Sequence, residues 1–156
     1  MIKLCLAAWD AHKYSLENWY RSLSEDEINK LYYKNIVKRT FEIINEMDEY
    51  PRLDVNNITE IDNGDYQGTL IYLVPFDSYQ PSHYEYLMTY IEYGSCSCCD
   101  TLQGLQYWGD ESKDTQIKGF MELSKGILCH TIRPYNGGWR NDELFNTVRM
   151  EENEDD

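Results

Sequence analysis

Tyr86-Leu87-Met88-Thr89-Tyr90-Ile91-Glu92-Tyr93 runs directly into Gly94-Ser95-Cys96-Ser97-Cys98-Cys99-Asp100-Thr101-Leu102-Gln103. From Tyr84 to Tyr93, Tyr86, Met88 and Tyr90 alternate with Leu87, Thr89 and Ile91. That is the period-two pattern of a strand with two distinct faces. The cysteine-rich segment then reads as a turn leading into a short helix over Asp100 to Gln106. Upstream, Thr69 to Val74 is a second β-rich run that stops at Pro75, preceded by the turn signal Asp62-Asn63-Gly64-Asp65. Phe76 to Ser82 makes the loop between the runs, so two neighbouring antiparallel strands are expected.

Helical signals flank this centre. Ser24-Glu25-Asp26-Glu27 matches a capping box, with acids at the positive end of a helix. A long helix is expected from there to Pro51, its stripe formed by Tyr32, Ile36, Phe41, Ile43, Ile44 and Met47. A second long helix carries Ile117, Phe120, Met121, Ser124, Ile127, Leu128 and Thr131 on one face and stops at Pro134 and Gly137-Gly138. Ile2 to Trp9 is read as a first strand or a buried helical turn, and Ser15 to Leu23 as a short helix. Gly109 to Ser112 is read as a linker, and Trp139 to Met150 as a last short element. The expectation is an α+β fold: an antiparallel sheet covered by two long helices and shorter helical segments. One globular domain spans residues 1–150, and residues 151–156 form a disordered acidic tail.

Composition narrows the function classes. The chain has 156 residues, 42% hydrophobic and 14% aromatic, enough to bury a core without staples. Its formal charge of -14 opposes direct binding to nucleic acid or anionic membranes. Met1 to Trp9 is too short and too interrupted for a signal peptide or a membrane span. Five cysteines, three of them within four positions, do not resemble a secreted disulfide framework, so a reducing cytoplasm is expected.

The cysteine segment admits three readings. Ser97-Cys98-Cys99-Asp100 reads as Ser-x-x-Asp, with Ser97 as N-cap and Cys98 and Cys99 in the first helical turn. Cys96, Cys98 and Cys99 with Cys129 or His130 offer four ligands to zinc at a spacing poorly matched to known zinc hooks, so no cofactor is expected and zinc is the alternative. Thiol catalysis would require His83 or His130 as a nearby base. The segment is not read as a C-x-x-C redox pair, a phosphatase loop or a phosphate-binding loop. Small buried thiols that let strand and helix pack closely are the reading with most weight. His12, His83 and His130, the carboxylates Asp62, Asp65 and Glu85, and the aromatics Trp108, Tyr135 and Trp139 suggest no site by themselves.

Tyr93-Gly94-Ser95-Cys96-Ser97-Cys98-Cys99-Asp100-Thr101-Leu102-Gln103, following the strand pair that begins near Tyr66-Gln67-Gly68, resembles small uncharacterised proteins of phages and mobile elements in low-GC Gram-positive bacteria. The shared pattern is Y-G-S-C-S-x-C-D, and Cys98 occupies its variable position. The resemblance implies a phage-encoded protein, and with that origin the host cell cytoplasm; it carries over no function and no site residues. Joined to the charge, that origin suggests a non-enzymatic protein, an inhibitor of a bacterial defence nuclease in an anti-CRISPR or similar role. The expected partner is a basic, nucleic-acid-binding protein surface, contacted by Glu25, Asp26, Glu46, Asp48, Glu49 and the acidic tail. The alternative is a zinc- or thiol-dependent small enzyme or ligand-binding domain centred on Cys96 to Cys99. A third reading is a regulatory or virion-assembly protein.

Overall fold

The computed structural model of the chain describes residues 2–48, 52–82, 85–107 and 112–133. The first helix, α1, is continuous from Ile2 to Ser22. This replaces the separate strand or turn expected over Ile2 to Trp9 and the short helix over Ser15 to Leu23. No Pro or Gly interrupts the stretch, and Leu4, Cys5, Ala8, Trp9, Leu16 and Tyr20 are buried along one stripe of it.

The Ser24 capping box forms in full: Glu27 N–H donates to Ser24 Oγ at 3.2 Å, and Ser24 N–H donates to Glu27 Oε1 at 3.1 Å. Those hydrogen bonds hold the Glu27 carboxyl below its ordinary range. The helix they start is nevertheless short. α2 covers Glu25–Asn29, and a separate α3 covers Tyr33–Asn45, so the single long helix expected from Ser24 to Pro51 is two. At the break, the Gln106 amide donates to the carbonyls of Ile28 and Leu31, both at 2.9 Å, and Asn35 Oδ1 accepts from Tyr32 N–H at 2.9 Å. Backbone groups released by the break thus find partners. The interruption also rotates the stripe, so that Tyr33 is buried and Tyr32 is 75% exposed.

Three strands follow: β1 (Thr59–Gly64), β2 (Gly68–Pro75) and β3 (Tyr86–Tyr93), an antiparallel meander in that order. The pairing places Leu70 opposite Ile91, Tyr72 opposite Thr89 and Val74 opposite Leu87. β1 includes Asp62, Asn63 and Gly64 from the expected turn, so the reversal itself is Asp65 to Gln67. Gly64 pairs with Gly68, and a Cβ on Gly64 would come within 2.7 Å of the Gly68 Cα, a separation only glycine permits.

α4 (Thr101–Tyr107) and α5 (Lys113–Cys129) complete the described chain, α5 being capped by Ser112. α1, α3 and α5 pack against one another, and α5 packs against β3 of the sheet, on whose inner face Tyr72, Val74, Leu87 and Thr89 are buried. Thr89 Oγ1 donates to the Ile127 carbonyl at 2.7 Å and ties β3 to α5. Between the helices, Tyr20 and Ser124 hydroxyls meet at 2.7 Å and Thr40 Oγ1 donates to Ser124 Oγ at 3.0 Å, a buried set that fixes α1, α3 and α5 to one another. The fold is α+β, with three long helices where two were expected. The expectations for Pro51, His83, Trp108, Pro134, Tyr135, Trp139 to Met150 and residues 151–156 lie outside the described residues.

Candidate functional site

The turn between β3 and α4 is built around Asp100. This carboxylate is 5% exposed and accepts from three donors: Gly94 N–H and Tyr33 Oη–H on Oδ1, each at 3.0 Å, and Gln103 N–H on Oδ2 at 2.8 Å. Tyr33 in turn accepts from Leu102 N–H at 3.0 Å. Burial pushes the Tyr33 phenol far above its ordinary range, so it remains a donor to the carboxylate at neutral pH. Asp100 is therefore the N-cap of α4, with Gln103 at the third helical position. The expected cap, Ser97, lies three residues too early, and Cys98 and Cys99 precede the helix instead of forming its first turn. The Asp100 side chain prevails because its two oxygens accept from both sides of the turn, which one Ser hydroxyl cannot do.

Held at both ends, residues 96 to 99 close on themselves. The Cys96 carbonyl accepts from Cys99 N–H at 3.1 Å and from Asp100 N–H at 2.8 Å. This turn brings Cys96 Sγ to 3.0 Å from Cys99 Sγ. Cys99 Sγ also accepts from Cys96 N–H at 3.3 Å and lies 3.8 Å from Ser95 Oγ. The Cys96 thiol, the Cys96 amide and the Ser95 hydroxyl lower the Cys99 thiol to about 7, in that order of effect. Gly94 is the floor of the turn: a Cβ there would stand 2.5 Å from the Cys99 carbonyl oxygen and 2.6 Å from its sulfur.

Two expectations about the thiols change. Cys96, Cys98 and Cys99 are exposed, not buried spacers between strand and helix. Cys96-Ser97-Cys98-Cys99 is also a C-x-x-C sequence, contrary to the reading that excluded such a pair, because the adjacent Cys98-Cys99 obscures the outer two cysteines. Three-residue spacing was the signal that could have found the pair.

Of the four thiols considered for zinc, the fold joins Cys96 and Cys99. Cys129 lies at the end of α5, near enough to Cys5 for its charge to add to the burial that pushes the Cys5 thiol up to about 12. His130 stacks on Tyr90 with ring centroids 4.5 Å apart. Among the described residues, no group of three or more His, Cys, Asp or Glu side chains is placed to hold a metal ion. Beside the turn is a cleft of about 910 Å³, whose walls include Ser95, Cys96, Ser97, Gln103, Tyr107 and Glu25.

The acidic contacts are dispersed. Glu25 and Asp26 sit exposed in the first turn of α2, whereas Glu46 caps the C-terminal end of α3, a different helix of 13 residues and roughly 20 Å. Glu46 is also engaged, accepting from Ser15 Oγ at 3.1 Å and lying 3.0 Å from His12 Nδ1. Asp48 is exposed, and Glu49 lies outside the described residues. A stronger charge feature lies elsewhere. From Leu53 to Ser112 there is no Lys or Arg, and all 14 basic residues lie before or after that stretch. It contains the whole sheet and the cysteine turn, with Glu60, Asp62, Asp65, Asp77 and Glu92 exposed. Asp62 accepts from Tyr93 Oη–H at 2.6 Å, and that bond pushes the Tyr93 phenol up to about 12.

Comparison of the chain with family models, curated proteins and solved structures finds no match. No helix among the described residues is long and apolar enough to cross a membrane.

Proposed function

We propose that this chain is a non-enzymatic interaction protein that binds a basic protein surface through its sheet. The observation that carries the reading is the absence of any Lys or Arg from Leu53 to Ser112. Acids scattered among bases give a weak field at a distance, whereas acids along a stretch without bases add up, here with Lys34 of α3 sharing a hollow with Glu60. Glu60, Asp62 and Asp65 project from β1 and the turn beyond it, an edge strand exposed along its whole length. Such an array offers a groove that binds phosphates the charge it is built to receive. The resemblance to phage and mobile-element proteins favours a defence nuclease of the bacterial host as the partner, with the inhibitor acting in the host cytoplasm in an anti-CRISPR or similar role. Binding of the acidic protein would exclude the nucleic acid.

The test uses a purified guide-loaded CRISPR nuclease and the full chain. Binding is expected at low salt, weakened by added DNA and by high salt. The triple variant Glu60→Lys, Asp62→Lys, Asp65→Lys should lose at least about tenfold in affinity, mainly through slower association. Glu25→Lys with Asp26→Lys should lose less. If the triple variant binds as well as the parent, or DNA does not compete, the sheet is not the contact surface.

A further inference from the structure

The cysteine turn carries a chemistry that the acidic surface does not require. We propose that Cys96 and Cys99 form a thiol–disulfide exchange site, a dithiol that reduces a small neutral or cationic disulfide and becomes an intramolecular disulfide.

Three observations support this. The sulfurs are already 3.0 Å apart, so bond formation needs an approach of about 1 Å to reach the usual ~2.05 Å. The backbone is closed before the sulfurs join, because Cys99 N–H donates to the Cys96 carbonyl. Residues at the two ends of such a turn have Cα atoms within about 7 Å, the separation a disulfide spans, so little chain entropy remains to be lost. Both sulfurs are exposed, and Cys96 borders the cleft. Cys99 is the better nucleophile, since donors from Cys96 and Ser95 stabilise its thiolate.

The exchange proceeds in two displacements. The Cys99 thiolate attacks one sulfur of the substrate, whose S–S bond breaks. The departing thiolate takes the Cys96 proton, leaving a mixed disulfide on Cys99. The Cys96 thiolate then attacks Cys99 Sγ and expels the second substrate thiolate, which is protonated by solvent. The two cysteines together lose two electrons, and the substrate is reduced to two thiols.

The substrate class follows from the surroundings. Glu25 borders the cleft, Asp100 lies beneath the turn, and the surrounding sheet and turn have no Lys or Arg. Lys113, on the cleft wall, is turned to the Arg21 and Leu23 carbonyls, to which its Nζ donates at 3.1 and 2.9 Å. Its charge remains beside that of Glu25, so the chain's formal charge of -14 is what repels an anionic disulfide at low salt, while a neutral or cationic one is not repelled.

The experiment treats the reduced full-length protein with cystamine, 2-hydroxyethyl disulfide or oxidised glutathione at neutral pH and low salt. It follows intact mass, released thiol and the mapped disulfide. The double variant Cys98→Ser, Cys129→Ser should release two probe thiols per chain, lose 2 Da (the two thiol hydrogens) and yield a Cys96–Cys99 bridge, and the same bridge should map in the parent. Cys96→Ser should stop at a mixed disulfide on Cys99, and Cys99→Ser should react several-fold more slowly. Cystamine should react about tenfold faster than oxidised glutathione, a difference that shrinks in high salt. A double variant that stops at a mixed disulfide, or a parent bridge that maps to Cys98 or Cys129, overturns the site. Oxidised glutathione as the fastest probe overturns the substrate class.

Discussion

Replacing Asp100 with Ala removes the acceptor for three donors at once, and two of those donors cannot turn to water. The Gly94 N–H and the Tyr33 hydroxyl bond to Asp100 in the interior, while Gln103 N–H lies nearer the surface. An unpaired buried donor costs about 1–3 kcal/mol, and loss of an N-cap about 1 kcal/mol. Because the three bonds share one side chain, their losses are less than additive, and a total near 3 kcal/mol is expected. Against a domain stability of roughly 5–15 kcal/mol this is a large fraction. With a urea m-value of about 2 kcal/mol/M, the unfolding midpoint should fall by about 1.5 M. Asp100→Asn retains one carbonyl oxygen and should lose roughly half as much. Urea unfolding followed by Trp fluorescence measures both. A midpoint within about 0.3 M of the parent for Asp100→Ala would refute the view that this carboxylate holds the turn.

The remaining expectations concern the thiol, the helix interface and one glycine. Iodoacetamide labelling of Cys99 should rise with a midpoint near pH 7 and shift upward in Cys96→Ala, where the main donor to the thiolate is gone; an unchanged midpoint removes that donor from the explanation. Because the folded thiol is lowered from an unfolded value near 9, its contribution to stability is fully present above pH 9 and is lost as pH falls through about 7. Ser124→Ala should cost about 2–4 kcal/mol, since Tyr20 and Thr40 hydroxyls both lose a buried partner. The triple change Tyr20→Phe, Thr40→Val, Ser124→Ala should recover part of this in thermal unfolding, and a triple variant no more stable than the single one would count against the network. Gly126→Ala should stabilise by about 0.5–1 kcal/mol, because a Cβ at this interior position of α5 meets nothing within 4 Å. A drop in melting temperature would contradict that.

Much of the fold was legible because its signals are local. The alternation in Tyr86 to Tyr93, the run Thr69 to Val74 ended by Pro75 and the apolar stripe of α5 each express a backbone period in side chains. β1 was not legible: it is exposed throughout, and an edge strand facing water needs no alternation. The continuity of α1 is not legible because its contiguous apolar run ends at Trp9, while its buried positions continue at helical spacing through Leu16 and Tyr20.

The site divides in the same way. The sequence by itself determined that three thiols would lie between a strand and a short helix, in a stretch without a basic residue, and that the Ser24 box would start a helix. It could not tell Ser97 from Asp100 as the cap, because the deciding partner, Tyr33, lies 67 residues away in the chain. Nor could it break the helix after Asn29, where the freed carbonyls are met by Gln106 from α4. Only the tertiary structure decided which cysteines meet. A capped turn clamped at both ends by one buried carboxylate puts Cys96 against Cys99, and the burial of that carboxylate depends on packing against α3.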